Sequence, residues 1–105
     1  MNERGYQRKL IGKLRERFPG CVILKNDASY MPGVPDILIL FKDMWAMLEV
    51  KMKDKSPRKP NQPYFVEMFN RMSFASFINP DNEEAVLNAL QSAFESAREA
   101  CLSKS

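Results

Sequence analysis

Two apolar segments separated by a polar dipeptide constrain the fold of this chain more than any other feature. The segments are Ile37–Phe41 and Met44–Val50, and Lys42-Asp43 lies between them. We expect an antiparallel hairpin in which the last residue of the first segment pairs with the first residue of the second; a four-residue loop gives the same register. Both faces of each segment are apolar, which predicts central strands covered on both sides.

The predicted register brings acidic side chains together at one edge of the sheet. Asp36 precedes the first strand, and counting outward from the turn places it directly opposite Glu49. Directly paired residues have Cβ atoms about 5 Å apart. Because side chains alternate along a strand, Lys51 lies on the same face as Glu49. A three-residue loop would break this pairing.

An Asp–Glu pair with a neighbouring lysine can hold a divalent metal and activate a water. Carboxylate oxygens suit Mg²⁺ or Mn²⁺, and the backbone carbonyl of Val50 is a further candidate ligand. Lys51 could orient the water or stabilise a pentacovalent phosphorus. The alternative is a surface Asp–Glu–Lys cluster in which the lysine offsets the repulsion between Asp36 and Glu49. We favour the metal site.

Polar residues on two predicted helices could converge on the same point. Glu3 and Gln7 lie one turn apart on the first helix, and Glu3 could supply a third carboxylate. Glu3 could equally be an ordinary first-turn acid that favours the helix dipole. Gln62, at the start of the second helix, could hydrogen-bond the water or a phosphate, or act only as a helix cap.

The distribution of charge favours a polyanionic partner. Residues 1–71 contain fourteen Lys or Arg and eight Asp or Glu, whereas residues 72–105 contain two and five. A basic cluster directly follows the Asp–Glu–Lys group, and its members are Lys53, Lys55, Arg58 and Lys59. Such a surface suits the phosphates of DNA. Lys25 and Tyr30 are weaker candidates for contacts with the DNA backbone, and each could be a plain surface residue.

Composition excludes several classes of enzyme. The chain has no histidine, which removes Ser-His-Asp, Cys-His and His-ligated zinc mechanisms. Its two cysteines match no zinc-binding spacing. We expect a single domain over residues 1–105 that is intracellular, with no membrane span, no leader and no organic cofactor.

The order of predicted elements is helix, three strands, helix, strand, helix. Apolar residues at four-residue intervals predict a first helix that ends near Phe18, followed by a short strand, Cys21–Leu24. After the hairpin, a second helix begins at Asn61 or Gln62, with Phe65, Met68 or Phe69, and Met72 on its buried face. The strand Phe74–Ile78 follows. The long last helix, Asn82–Cys101, is a candidate dimerisation element.

These residues in this order resemble the PD-(D/E)XK nucleases. The resemblance rests on Gly33-Val34-Pro35-Asp36, then Glu49-Val50-Lys51, then Gln62. With the helical Glu3-x-x-Tyr6-Gln7, the chain is most similar to the compact stand-alone VRR-NUC type, and archaeal Holliday-junction resolvases are the neighbouring group. The resemblance covers nearly the whole chain. It implies an αβββαβ restriction-endonuclease-like core, with a mixed central sheet flanked by helices and a C-terminal helix.

The resemblance also implies an activity and a set of residues. The activity is that of a Mg²⁺- or Mn²⁺-dependent DNA endonuclease, with branched DNA as a candidate substrate, in a homodimer. The size of the chain and the expected lack of a targeting domain are consistent with a phage or bacterial repair and recombination factor. Glu3, Asp36 and Glu49 would bind the metal, although Gln7 could replace Glu3. Lys51 would be the catalytic lysine, and Gln62 an additional active-site glutamine.

Overall fold

A four-stranded mixed sheet forms the centre of the molecule. The computed structural model describes residues 2–52 and 61–103. Its elements are α1 (Glu3–Arg17), β1 (Val22–Lys25), β2 (Ile37–Phe41), β3 (Met44–Val50), α2 (Asn61–Met72), β4 (Phe74–Ile78) and α3 (Glu83–Ser103). The strands lie in the order β1-β2-β3-β4, and only the β3–β4 pair is parallel. This confirms the predicted α/β fold class and order of elements.

The β2–β3 hairpin has the predicted register. Phe41 pairs with Met44, and Ile37 pairs with Leu48. Lys42, in the turn, has a φ of 59°, in the left-handed region that allows the chain to reverse within two residues. Continuing the ladder by one pair beyond Ile37 sets Asp36 opposite Glu49.

One face of the sheet packs against α1 and α3. Leu10 and Leu14 of α1 and Leu90 of α3 are fully buried in one cluster with Ile39 and Leu48 of the sheet. Polar contacts join the two helices. The Tyr6 hydroxyl donates to Glu83 Oε1 at 2.8 Å, and Lys13 Nζ lies 2.6 Å from Glu83 Oε2. Burial, together with the hydrogen bond to Glu83 and the charge of that carboxylate, raises the pKa of Tyr6 well above its ordinary range.

The opposite face of the sheet is covered by α2 over β3 and β4. Trp45 and Phe69 make an edge-to-face contact with ring centroids 6.2 Å apart. The prediction of the buried face of α2 is only partly correct. Gln62 and Val66 are the buried residues, Phe65 and Phe69 are half-buried, and Met72 is 65% exposed.

The prediction that both hairpin strands are covered on both faces is also only partly correct. In the part of the chain that the structure describes, no helix covers this face where β1 and β2 pair. Leu40 of β2 is 37% exposed, and Val22 and Leu24 of β1 are 51% and 47% exposed. Helix α2 follows β3 and returns the chain to β4, so it reaches the strands it connects and not the far side of the sheet. Among the described residues, no helix has the length and apolar character needed to cross a bilayer.

Candidate active site

Asp36 and Glu49 lie together at the edge of the sheet where β2 begins and β3 ends. Asp36 Oδ2 accepts a hydrogen bond of 2.9 Å from the backbone N–H of Val50, the residue that follows Glu49. This bond links the residue just before β2 to the last residue of β3. It holds the Asp36 carboxylate beside Glu49 and places the Val50 backbone within the site.

Glu49 is a buried carboxylate, 2% exposed. Its Oε1 accepts a hydrogen bond of 3.0 Å from Gln62 Nε2 in the first turn of α2. Among the described residues, none donates a hydrogen bond to its Oε2, which is also buried. A buried carboxylate oxygen without a hydrogen bond is costly, because it has lost its water and gained nothing in exchange. A bound cation would remove that cost.

Burial raises the pKa of Glu49 to about 8, and Asp36 contributes in the same direction, through its negative charge and through a hydrogen bond that favours the protonated Glu49 carboxyl. Lys51 acts in the opposite direction and lowers this pKa, whereas Glu3 adds a small further increase. The charge of Lys51 therefore acts on Glu49, as expected for two side chains on the same sheet face. A cation bound beside Glu49 would act in the same direction as Lys51 and favour the ionised form of this carboxyl.

This raised pKa predicts how the stability of the metal-free protein depends on pH. The folded state holds the Glu49 proton more tightly than the unfolded chain does, so the stabilisation is complete below the ordinary pKa of 4.5 and is lost as pH rises through about 8. We expect the free energy of unfolding, measured with urea in EDTA, to fall between pH 5 and pH 8. The chain has no histidine to titrate in this window. Glu49→Gln should remove the fall; an equal fall in that variant would contradict the assignment.

Asn26 is a part of the site that sequence reasoning missed. Its backbone N–H donates to Asp36 O at 2.9 Å, and its side-chain Nδ2 donates to Pro35 O, also at 2.9 Å. Asn26 therefore holds both carbonyls of the Pro35-Asp36 segment and so helps to position the Asp36 carboxylate. An asparagine at the start of a loop is a common turn residue, so the sequence carries no signal that distinguishes this role.

The remaining candidate residues are less closely grouped. Glu3 is exposed at the start of α1, and Gln7 is half-buried one turn later. Lys25 is exposed and pairs with Ile37, so it lies next to the pairing of Asn26 with Asp36. Tyr30 is 84% exposed in the loop between β1 and β2. The predicted basic cluster lies outside the described residues: Lys53, Lys55, Arg58 and Lys59.

The chain has structural neighbours among VRR-NUC domain proteins. A solved structure titled "VRR_NUC domain protein" has a TM-score of 0.63 and 16% sequence identity, over 89% of this chain and 90% of the other. A second, titled "VRR_NUC domain", has a TM-score of 0.57 and 21% identity, over 75% and 85%. No protein-family model matches the sequence, and no curated protein does either. The neighbours confirm the fold that the resemblance implied.

Proposed function

We propose, from the VRR-NUC fold together with the Asp36–Glu49 pair, that this protein is a Mg²⁺- or Mn²⁺-dependent DNA endonuclease. The observation that carries the proposal is Glu49: a carboxylate only 2% exposed, beside Asp36, with a buried oxygen to which no described residue donates a hydrogen bond. Folding alone gives no reason to keep a charge-bearing group there. A metal site gives one, and the fold is of a nuclease type.

The donor set fits a hard divalent cation. Asp36, Glu49 and the Val50 carbonyl would hold the metal, since all three offer oxygen atoms. Glu3 is the candidate for a third carboxylate, with Gln7 as the alternative. When bound, the metal lowers the pKa of a coordinated water and neutralises charge on the phosphate.

Two further side chains have roles that follow from their positions. Lys51 follows Glu49 by two residues, and its charge lowers the pKa of Glu49. It would stabilise the additional negative charge that develops on the phosphate as water attacks. Gln62 donates to Glu49 Oε1 at 3.0 Å and so leaves Oε2 as the oxygen that faces a ligand. Gln62 would therefore hold the Glu49 carboxylate in the orientation that ligand binding needs.

The DNA would be bound by the basic part of the chain. Residues 1–71 carry an excess of six positive charges, fourteen Lys or Arg against eight Asp or Glu. Lys25 and the cluster of Lys53, Lys55, Arg58 and Lys59 are the proposed contacts with phosphates, with Gln7 beside the metal site. Branched DNA of repair and recombination is the proposed substrate, and a homodimer joined through α3 would present two sites to two strands.

One observation favours a second candidate function, a DNA-binding module that does not cut or that needs a partner protein. Within residues 2–52 and 61–103, no group of three or more Asp, Glu, Cys or His side chains is close enough to hold a metal. Two carboxylates alone bind Mg²⁺ weakly, because this ion retains several waters and relies on substrate phosphates for further ligands. Both candidate functions predict DNA binding, and they differ only in whether the protein by itself cleaves the DNA.

A cleavage assay tests the proposal. Labelled four-way junction, flap, linear duplex and single-stranded DNA are incubated with the protein in Mg²⁺, Mn²⁺ or EDTA. We expect cutting in either metal, none in EDTA, and faster cutting of branched substrates. Binding to every substrate without cutting would support the DNA-binding module instead.

Analytical ultracentrifugation of the same samples tests the homodimer, which a monomer at high concentration would contradict.

A further inference from the structure

We propose that a groove beside the candidate active site binds one unpaired nucleobase of the strand that is cut; the proposal rests on the proposed function. The groove lies between the β1–β2 loop, β3 and α2, with a volume of about 430 Å³. Its occupant would be a base next to the scissile phosphate. The preferred substrate would accordingly be DNA in which that base is free to leave the duplex.

The groove shares two neighbours with the carboxylate pair, Met47 and Asn26. Met47 of β3 lines it. Met47 precedes Glu49 by two residues, so the two side chains project from the same sheet face, about 7 Å apart along the strand. Asn26, which holds the Pro35-Asp36 segment, is a second lining residue. A strand whose phosphate lies at Asp36 and Glu49 would therefore have its adjacent base within reach of the groove.

The walls suit the flat face of a base. Tyr30, Met31, Val34 and Phe69 contribute apolar and aromatic surface. Tyr30 is 84% exposed, so its ring is free to stack. Stacking on an aromatic side chain is the usual way in which proteins bind unpaired bases, and it tolerates any sequence because every base has a π-face.

The charge of the groove favours a base over a phosphate. Of the described residues that line the groove, none is a lysine or an arginine, whereas Asp27 is one of them. Asp27 Oδ1 accepts hydrogen bonds from Ser29 N at 2.8 Å and Ser29 Oγ at 2.6 Å, and these bonds lower the pKa of Asp27. An ionised carboxylate repels phosphate, but it accepts hydrogen bonds from the amino groups that adenine, cytosine and guanine expose when unpaired.

The loop that carries Tyr30 is held in place at both ends of the groove. The backbone N–H groups of Tyr30 and Met31 both donate to Asp27 O at 3.2 Å. Asn61 Nδ2, at the start of α2, donates to Pro32 O at 3.2 Å. Gly33 has a φ of +95°, and a Cβ there would lie 2.3 Å from Asn61 Cβ, so only glycine allows this close approach. The groove is therefore formed before any ligand binds, which limits the entropy lost on binding.

The experiment compares two flap substrates that differ at one nucleotide. In one, the nucleotide beside the scissile phosphate carries an unpaired base; in the other, the same position is abasic. For the wild-type protein, we expect kcat/KM to be about 10-fold higher on the first substrate than on the abasic one. Tyr30→Ala should reduce this ratio of the two kcat/KM values to about 1. Tyr30→Phe, which keeps the ring, should retain the ratio. Tyr64→Ala removes another exposed tyrosine, 60% exposed on α2 and outside the groove, and serves as the matched control.

Binding gives a readout that is independent of cutting. With 2-aminopurine as the unpaired base, stacking in the groove should quench its fluorescence in EDTA, and Tyr30→Ala should abolish the quenching. An unchanged cleavage ratio or unchanged quenching in Tyr30→Ala would overturn the base-binding groove. So would a shift from dimer to monomer on this substitution, because the groove would then be an interface between two copies. Failure of the wild-type protein to cut any substrate would overturn the proposed function, but base-dependent quenching would still support the groove.

Discussion

Glu49→Gln is expected to reduce metal-dependent DNA cleavage by about 1,000-fold or more. The substitution removes the charge of the buried carboxylate that would hold the metal, and a metal ion contributes several kcal/mol of transition-state stabilisation, each 1.36 kcal/mol of which is a factor of ten in rate. The measurement is single-turnover cleavage of the preferred branched substrate at saturating protein. Binding of Mn²⁺, followed by electron paramagnetic resonance, should weaken in parallel.

The fold should survive this substitution. Glutamine has the shape of glutamate, and its side-chain oxygen can still accept the hydrogen bond that Gln62 Nε2 donates. Glu67→Gln is the matched control, because Glu67 is an exposed glutamate of α2 whose ion pair with Arg71 lies at the surface, where such pairs contribute little. Cleavage by Glu49→Gln at the rate of the Glu67 control would remove Glu49 from the site. Asp36→Asn should behave as Glu49→Gln does.

Lys51→Ala is expected to lower kcat by about 100-fold while changing the dissociation constant for DNA much less. Lys51 acts on Glu49 electrostatically, since its charge lowers the pKa of that carboxyl. A cation at this point is most favourable when the phosphate gains negative charge in the transition state, and the loss of one such preorganised group typically costs 10²–10³ in rate. The measurement pairs single-turnover rates with DNA binding in Ca²⁺.

Lys9→Ala provides the control for the loss of one positive charge, because Lys9 is exposed on α1. It should change neither rate nor affinity beyond what one unit of charge causes at a distance. If Lys51→Ala instead weakens DNA binding as much as it lowers kcat, Lys51 is a phosphate contact in the bound state and has no specific role in the transition state. The ratio of the two effects therefore separates catalysis from binding.

The β2–β3 hairpin was predictable because a single local signal sets its register. A polar dipeptide between two apolar segments specifies the turn, and from the turn the pairing of Asp36 with Glu49 follows by counting. The observed pairing of Phe41 with Met44 has this register. The order of elements followed in the same way, since helix and strand periodicities are local. Both features depend on residues close together in the chain.

The packing of α2 was less predictable for the opposite reason. Apolar spacing indicated Phe65 and Met72 as buried, but Met72 is 65% exposed, and Val66, outside the predicted stripe, is buried. Because α2 has aromatic residues on more than one side, its apolar spacing is compatible with several rotations of the helix about its own axis. The orientation of α2 is set by its contacts with the sheet, among them the hydrogen bond from Gln62 to Glu49.

The sequence by itself determined the fold class, the hairpin register and the meeting of Asp36 with Glu49, because alternation and turn chemistry act over a few residues. Tertiary structure alone decided that Glu49 is buried with one oxygen to which no described residue donates a hydrogen bond, that Gln62 bonds the other oxygen, and that Asn26 holds the segment bearing Asp36. The groove beside them also belongs to tertiary structure. Burial, desolvation and long-range hydrogen bonds depend on which elements meet in space, and no local pattern in the chain encodes that.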